Sequence, residues 1–235
     1  MPVYRPVIEE IMRRNGGHAS LQLLYREFEK VAGGMKITGK TPLNSLRREV
    51  QREEFFTRIG LGVYALKDAQ LPTAPKTANQ KEKAERRHSD IQGMLLEIGN
   101  SRTECADTYT PDRKEIFNHM LLGSIATIAE IPKFTYADII KSVRFADVIW
   151  MNGRGFPNSV FEVEHSTNFL SAFTKFCELQ DFNAKFYCVA EEKREDKFRR
   201  ELNKSAFDAI KARCEFLSYE KIENDYNIAQ QKTYI

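Results

Sequence analysis

The hydrophobic positions in the first third of the chain predict three short helices. In residues 4–14 and 20–32 they recur three or four positions apart, and a pair of glycines follows each segment. A third segment has the same spacing at Leu43, Leu46 and Val50 and begins with Pro42 after Thr41, which are typical first-turn and capping residues. This part of the chain is therefore predicted to be mainly helical.

Two short strand-like runs follow the predicted helices. Residues 55–59 and 63–66 favour strands, and the Gly-Leu-Gly between them suits a tight turn. Three helices and a terminal hairpin make up a winged helix-turn-helix, whose third helix can enter the major groove of duplex DNA. The alternative is an ordinary solvated helix face or a surface that docks a protein. The candidate DNA-binding residues share one face of the third helix: Asn44, Arg47, Arg48 and Gln51.

The composition changes after this region. Residues 71–87 contain two prolines, no aromatic residue and no sustained hydrophobic period, which indicates an exposed linker between a domain at 1–70 and a second at 88–235. The first domain has 12 basic and 8 acidic residues, the linker 5 and 2, and the second domain 19 and 23. The basic excess of the first third suits a polyanion-binding module joined to a domain that carries carboxylates.

The second region has a mixed α/β pattern. Residues 89–100 predict a helix that begins with a capping box of Ser89 and Gln92. Runs of high strand propensity then alternate with helical spacing. Strands are predicted at 145–151, 159–166, 185–190 and 215–219, and helices at 170–179 and 196–211.

Acidic residues on the predicted strand 159–166 carry the candidate chemistry. Side chains alternate along a strand, so Glu162 and Glu164 share the face of Val160, and hairpin pairing with the preceding strand would bring Asp147 beside Glu162. Converging carboxylates form an oxygen site suited to Mg²⁺, which supports phosphodiester hydrolysis. The alternative is a solvated strand face whose acids form salt bridges.

The N-terminal motifs resemble a known family. The segments TPLNSLRREV and IGLGVY, within residues 4–67, are similar to the HARE-HTH type of winged helix. That family is associated with DNA-linked proteins, including restriction systems. The resemblance implies a DNA-binding module at the N-terminus.

The C-terminal region has a second resemblance. Asp147 is followed fifteen positions later by Glu162-Val163-Glu164, and the predicted order is helix, strand, strand, helix, strand. This pattern, over residues 88–222, resembles the PD-(D/E)XK nuclease superfamily. The phrase ADVIWMN…VFEVEHSTNF is especially similar to bacterial restriction-endonuclease-like proteins.

The second resemblance implies a set of metal ligands. Asp147 and Glu162 match the two acidic ligands, and Val163 would offer its backbone carbonyl to the same ion. Glu97 matches an acid that many members carry on the first helix, although a solvated helix flank explains it equally well. The implied cofactor is Mg²⁺.

This sequence departs from the pattern of the nuclease superfamily at one position. Glu164 stands where most members carry a catalytic lysine, and we predict that it completes the catalytic set. Lys175, on the following helix, is predicted to lie toward a flank and to contact DNA. Two alternatives remain open, namely that Lys175 replaces the missing lysine or that the site has decayed.

These patterns together predict an α+β protein, with an N-terminal winged helix-turn-helix and a C-terminal α/β restriction-endonuclease-like domain whose central mixed sheet is flanked by helices. The predicted function is a Mg²⁺-dependent endonuclease acting on duplex DNA, of the type II restriction class. The alternative is a non-catalytic DNA-binding regulator with a degenerate nuclease fold. A homodimer is expected because double-strand cleavage needs two active sites. The chain has no membrane-length apolar run, no secretory signal and only scattered cysteines, which predicts no membrane partner and a cytoplasmic location.

Overall fold

The N-terminal part folds as three helices beside a small antiparallel sheet with the strand order β1-β3-β2. The computed structural model describes residues 4–33, 42–71, 80–165 and 168–232. The first elements are α1 Tyr4–Arg14, β1 His18–Ser20, α2 Leu21–Val31, α3 Pro42–Val50, β2 Phe56–Gly60 and β3 Val63–Leu66.

These elements agree closely with the hydrophobic pattern. The three helices and the hairpin begin and end within about one residue of the predicted bounds, and β1 is an additional strand. The Ser20 hydroxyl caps α2 by accepting the backbone N–H of Leu23 at 3.1 Å. The predicted cap at Thr41 lies outside the described residues. The apolar faces of the helices meet in one core formed by Ile8, Met12, Leu24, Phe28, Leu46 and Val50.

The C-terminal part is built around a five-stranded mixed sheet with the order β10-β9-β8-β7-β4. Strands β4, β7 and β8 are antiparallel neighbours, whereas β8, β9 and β10 run parallel. Its strands are β4 Asp107–Tyr109, β7 Val148–Met151, β8 Pro157–Val163, β9 Lys185–Ala190 and β10 Cys214–Ser218, and a separate ribbon consists of β5 Ile116–Phe117 and β6 Met120–Leu121. The helices are α4 Gln80–Asn100, α5 Leu122–Ile125, α6 Ala137–Val143, α7 Leu170–Cys177, α8 Glu195–Leu202, α9 Asp208–Lys211 and α10 Tyr219–Lys232.

Helices cover both faces of this sheet. On one face, Trp150 and Phe161 pack with residues of α4 and α10. On the other face, Ile149 and Val160 pack with residues of α7, α8 and α9. Because β8 is covered on both sides, the alternative of a solvated strand face is wrong for this strand. The expected mixed sheet flanked by helices is confirmed.

Helix α4 is longer than the sequence pattern predicts. It begins at Gln80, so that residues 80–87 of the predicted linker belong to the helix. Ser89 and Gln92 therefore lie inside the helix, and the predicted capping box is wrong. The Ser89 hydroxyl instead donates to the backbone carbonyl of Glu85, one turn earlier.

Two other elements differ from the prediction. The helix expected at 196–211 is divided into α8, a 3₁₀ turn and α9, because Lys204 adopts an extended backbone with ψ of 139°. Helix α10, along the α4 side of the sheet, was not predicted. None of the helices in the described ranges combines the length and the apolar character needed to cross a bilayer.

The tip of the β2–β3 hairpin packs into the C-terminal part. Leu61 and Val63 belong to the core that contains Leu95 of α4. The backbone N–H of Leu61 donates to the buried carboxylate of Glu97 at 2.5 Å. A Cβ atom at Gly60 would lie 2.3 Å from an oxygen of Glu97, so only glycine allows this close approach. The tip is therefore a docking element rather than a free wing.

Candidate active site

Asp147 and Glu162 meet where β7 begins and β8 ends. Asp147 directly precedes β7, and the antiparallel pairing of Val148 with Phe161 brings it across from Glu162. The backbone N–H of Val163 donates to Oδ2 of Asp147 at 2.6 Å. The side chain of Glu162 points into the covered face, and the residue is only 3% exposed. The pairing that the sequence predicted therefore forms within a buried environment.

Lys175 lies in this acidic cluster. Its Nζ atom is 2.9 and 2.7 Å from the two carboxylate oxygens of Glu162, and it also donates to the backbone carbonyl of Phe145 at 2.9 Å. Helix α7 reaches this position because Phe173 and Phe176 are buried against the sheet. The predicted location of Lys175 toward a flank was wrong.

The cluster contains more buried negative charge than one ammonium balances. Burial raises the pKa of Glu162, and the neighbouring Asp147 carboxylate adds to this rise. The Lys175 ammonium acts in the opposite direction. A divalent cation beside Asp147 would relieve the repulsion between the two carboxylates, so the residues fit a metal ion.

Glu164 lies just beyond the end of β8, at the rim of the cluster. Burial raises the pKa of its half-buried carboxyl group, while the positive charge of Arg194 acts against this rise. The backbone carbonyl of Glu164 accepts hydrogen bonds from the Arg194 side chain at 2.6 Å and from the Tyr219 hydroxyl at 3.2 Å. The backbone of Glu164 is therefore fixed, but no hydrogen bond joins its side chain to Glu162 among the described residues.

Two further residues join the cluster. Nε2 of His88, on α4, is 3.4 Å from Oδ1 of Asp147 and 3.9 Å from Oδ2 of Asp112. Burial lowers the pKa of His88, but the hydrogen bond and charge of Asp147 and the charge of Asp112 outweigh it, and the pKa is raised. Neither His88 nor Asp112 is among the candidate ligands that the sequence predicts. His88 lies one helical turn before Gln92, but the sequence pattern places the start of the helix at Ser89, so it gave no signal for His88.

Comparison of the sequence with known protein families identifies the family of this chain. Residues 70–234 match the family model described as the type II restriction enzyme NmeDI C-terminal domain. The chain belongs to this family. Comparisons with curated proteins and with solved structures gave no match. All residues of the cluster lie inside the matched restriction-enzyme domain, and residues 1–69 lie outside it.

Glu97 lies inside the restriction-enzyme domain but away from the cluster. It is nine residues after His88 on the same helix, which corresponds to roughly 13 Å along the axis. Its carboxylate accepts the N–H of Leu61 and the hydroxyl of Tyr226 at 2.7 Å. The structure therefore does not bring Glu97 to Asp147 as a metal ligand, and it gives Glu97 a contact with the hairpin instead.

The candidate DNA-binding residues Asn44, Arg47, Arg48 and Gln51 lie on α3 or directly after it, outside the restriction-enzyme domain. Asn44, Arg48 and Gln51 are exposed. Arg47 is half-buried and lines a cleft of about 990 Å³ together with Arg102. The helix face that looked uniform in sequence is thus divided between the surface and this cleft.

Proposed function

We propose that the chain is a Mg²⁺-dependent endonuclease that cleaves duplex DNA, of the type II restriction class and with a PD-(D/E)XK-like active site. Its membership of the restriction-enzyme family supports a nuclease. The observation that carries the proposal is the buried Glu162 carboxylate, which lies beside Asp147 and has the Lys175 ammonium on both its oxygens. Two carboxylates at adjoining strand ends, with a lysine ammonium beside them, are the groups that phosphodiester hydrolysis needs.

The side chains of Asp147 and Glu162 and the backbone carbonyl of Val163 would hold the ion. All three offer oxygen atoms, which Mg²⁺ prefers, and the two carboxylates supply the negative charge. When bound, such an ion stabilises charge on the phosphate and lowers the pKa of a water molecule. Glu97 has no part in this proposed set, because its carboxylate is engaged with the hairpin.

We propose that Lys175 completes the catalytic set. The carbonyl of Phe145 and the carboxylate of Glu162 hold its ammonium in a fixed position. From there, the ammonium can bind a phosphate oxygen or orient the attacking water, and both roles stabilise developing negative charge. Glu164, at the rim and beside Arg194, fits a supporting electrostatic role better than this one.

The N-terminal part is proposed to be a winged helix that binds duplex DNA. Residues 1–70 carry a net charge of +4, Asn44 and Arg48 are exposed on α3, and Gln51 is exposed directly after it. The proposal does not include contacts from the hairpin tip, because Leu61 is buried in the neighbouring core. Arg47 has a smaller proposed role, since it faces the cleft.

A non-catalytic regulator with a degenerate nuclease fold is not favoured. A decayed site would have no need to keep two carboxylates and an ammonium together in a buried position, where isolated charges are costly. A homodimer, expected from the need for two active sites, has no direct support in the described ranges, and light scattering of the purified chain would measure the oligomeric state.

The proposed function is tested with plasmid DNA, with Mg²⁺ or with a chelator. We expect cleavage by the wild-type chain only with Mg²⁺. We expect Glu162→Gln to reduce the rate by at least about 100-fold, since a metal contributes several kcal/mol to the transition state, while DNA binding changes little.

The matched control is Glu215→Gln, which removes an exposed glutamate from β10. This variant should cleave at the wild-type rate. Wild-type turnover by Glu162→Gln, or equal cleavage with a chelator, would contradict the proposed metal site.

A further inference from the structure

His88, Asp112 and Asp147 form a three-ligand arrangement on the outer side of the proposed nuclease centre. The ligand atoms of these residues all lie within 4.8 Å of one another. Neighbouring ligands that bind a metal at about 2.1 Å lie roughly 3.0–3.5 Å apart. Nε2 of His88 is 3.4 Å from Asp147, within this range, and 3.9 Å from Asp112, slightly beyond it. A small contraction of the side chains would therefore bring them around one ion.

Hydrogen bonds already orient both carboxylates. The Val163 N–H holds Oδ2 of Asp147, which leaves Oδ1 turned toward His88. The amide nitrogen of Gln92 donates to Oδ2 of Asp112 at 2.6 Å. Such partners of metal ligands fix their orientation and raise metal affinity.

Gln92 gives a second, independent indication of a ligand. It is fully buried, and its Oε1 atom has no hydrogen-bond partner within the described part of the chain. A buried amide oxygen without a partner is costly unless a donor absent from the protein itself supplies the bond. Gln92 lies one turn after His88 on α4, and its amide touches the cluster. A water molecule on an ion held by this cluster would provide such a donor.

We infer that His88, Asp112 and Asp147 form a second divalent-metal site, which shares Asp147 with the proposed Mg²⁺ site and takes a first-row transition-metal ion. The reason is the donor set. An imidazole nitrogen favours transition metals, whereas Mg²⁺ prefers oxygen ligands alone. The inference deepens the proposed nuclease and rests on it, because it assigns the second ion to the same centre.

The test is a titration of the full chain with Co²⁺ in excess Mg²⁺, followed by calorimetry and by the visible absorption of the cobalt ion. We expect one Co²⁺ per chain to remain bound, with a spectrum that indicates a nitrogen ligand. His88→Asn and Asp112→Asn should each weaken this binding by at least about 100-fold. Asp112 is half-exposed, so its variant is expected to fold even if the His88 variant does not.

Two matched substitutions serve as controls. His119→Asn replaces an exposed histidine whose positive φ of 64° asparagine tolerates, and Asp90→Asn changes an aspartate on α4 outside the cluster. Both should bind Co²⁺ as the wild type does.

Unchanged Co²⁺ binding by His88→Asn and Asp112→Asn would overturn the inference and leave a plain ion pair. Plasmid cleavage in Mg²⁺ alone tests the proposed nuclease separately from this metal site. A chain that binds Co²⁺ through these residues but never cleaves DNA would refute the nuclease and, with it, the assignment of the second ion to a nuclease centre. A chain that cleaves in Mg²⁺ but lacks the Co²⁺ site would refute only this inference.

Discussion

At the scale of single residues, Lys175 has both an electrostatic and a positional role. A carboxylate as buried as Glu162 is costly without a partner, and removal of a partner from a buried pair typically costs several kcal/mol. Lys175 supplies that partner, and its contact with the Phe145 carbonyl keeps its ammonium near Asp147. Substitutions at Lys175 must therefore be designed to preserve the packing of its aliphatic stem.

We predict that Lys175→Met reduces single-turnover cleavage of saturated DNA complex by at least about 100-fold, while DNA affinity stays within about twofold. Methionine retains the apolar stem but removes the ammonium that we place on the reacting phosphate or water. Quenched-flow or gel-based single-turnover assays measure the rate, and thermal unfolding checks the fold.

Two variants accompany this prediction. Lys211→Met removes an exposed lysine from α9 and should leave cleavage unchanged. Glu164→Gln should stay within about tenfold of the wild-type rate. If Glu164→Gln were the more damaging substitution, the catalytic role would belong to Glu164, as the sequence alone suggested.

At the scale of elements, the β2–β3 hairpin is held by one buried carboxyl group. Glu97 on α4 accepts the Leu61 N–H at the hairpin tip and the hydroxyl of Tyr226 on α10. Burial raises the pKa of Glu97 to about 7, although the hydrogen bonds of Tyr226 and Leu61 act to lower it. The contact between these three elements therefore depends on protonation.

We predict that Glu97→Gln removes a pH dependence of stability. Because the pKa in the folded state lies above the unfolded value of 4.5, the contribution of Glu97 is fully present below about pH 4.5 and is lost as the pH rises through 7. The neutral glutamine keeps its acceptor at every pH. When the pH is raised from 5 to 8, the unfolding free energy of the variant should therefore increase by roughly 2 kcal/mol relative to that of the wild type.

Urea unfolding at both pH values measures this difference. Glu85→Gln, an exposed substitution on the same helix, should follow the wild type at both. A constant difference between Glu97→Gln and the wild type across this range would show that Glu97 does not titrate there.

At the scale of the whole molecule, charge is separated along the chain. The basic excess lies in residues 1–87, and the acidic excess lies in the part that contains the carboxylate cluster. An electropositive module attracts a polyanion, while the cluster holds the groups that we propose for hydrolysis. The structure adds that the exposed Arg48 and the half-buried Arg47 are not equivalent on α3.

We predict that Arg48→Ala in the full chain weakens binding to duplex DNA more than Arg47→Ala does. Each phosphate contact that is lost should reduce the slope of log affinity against log salt by about one unit. Fluorescence anisotropy at several salt concentrations measures both quantities. Arg200→Ala, an exposed change on α8, should leave the slope unchanged, and a larger effect for Arg47 would place the DNA in the cleft.

Hydrophobic spacing and strand alternation are sufficient to predict the local elements and half of the candidate site. Hydrophobic spacing predicted α1, α2 and α3, and strand alternation with hairpin pairing predicted that Asp147 lies beside Glu162. These features depend on neighbours within a few positions or on one tight connection, so a periodic pattern is sufficient to predict them. The polar start of α4 and all of α10 carry weak hydrophobic periodicity, which is why their extent was missed.

The packing of distant segments fixes which side chains complete the cluster. Lys175 reaches Glu162 because the burial of Phe173 and Phe176 fixes the rotation of α7 about its axis on the sheet. The spacing of residues in the sequence does not predict this rotation. His88 and Asp112 come from a helix and a loop that meet only through packing. Contacts between segments far apart in sequence are set by how their buried surfaces fit together, and this fit belongs to the folded molecule as a whole.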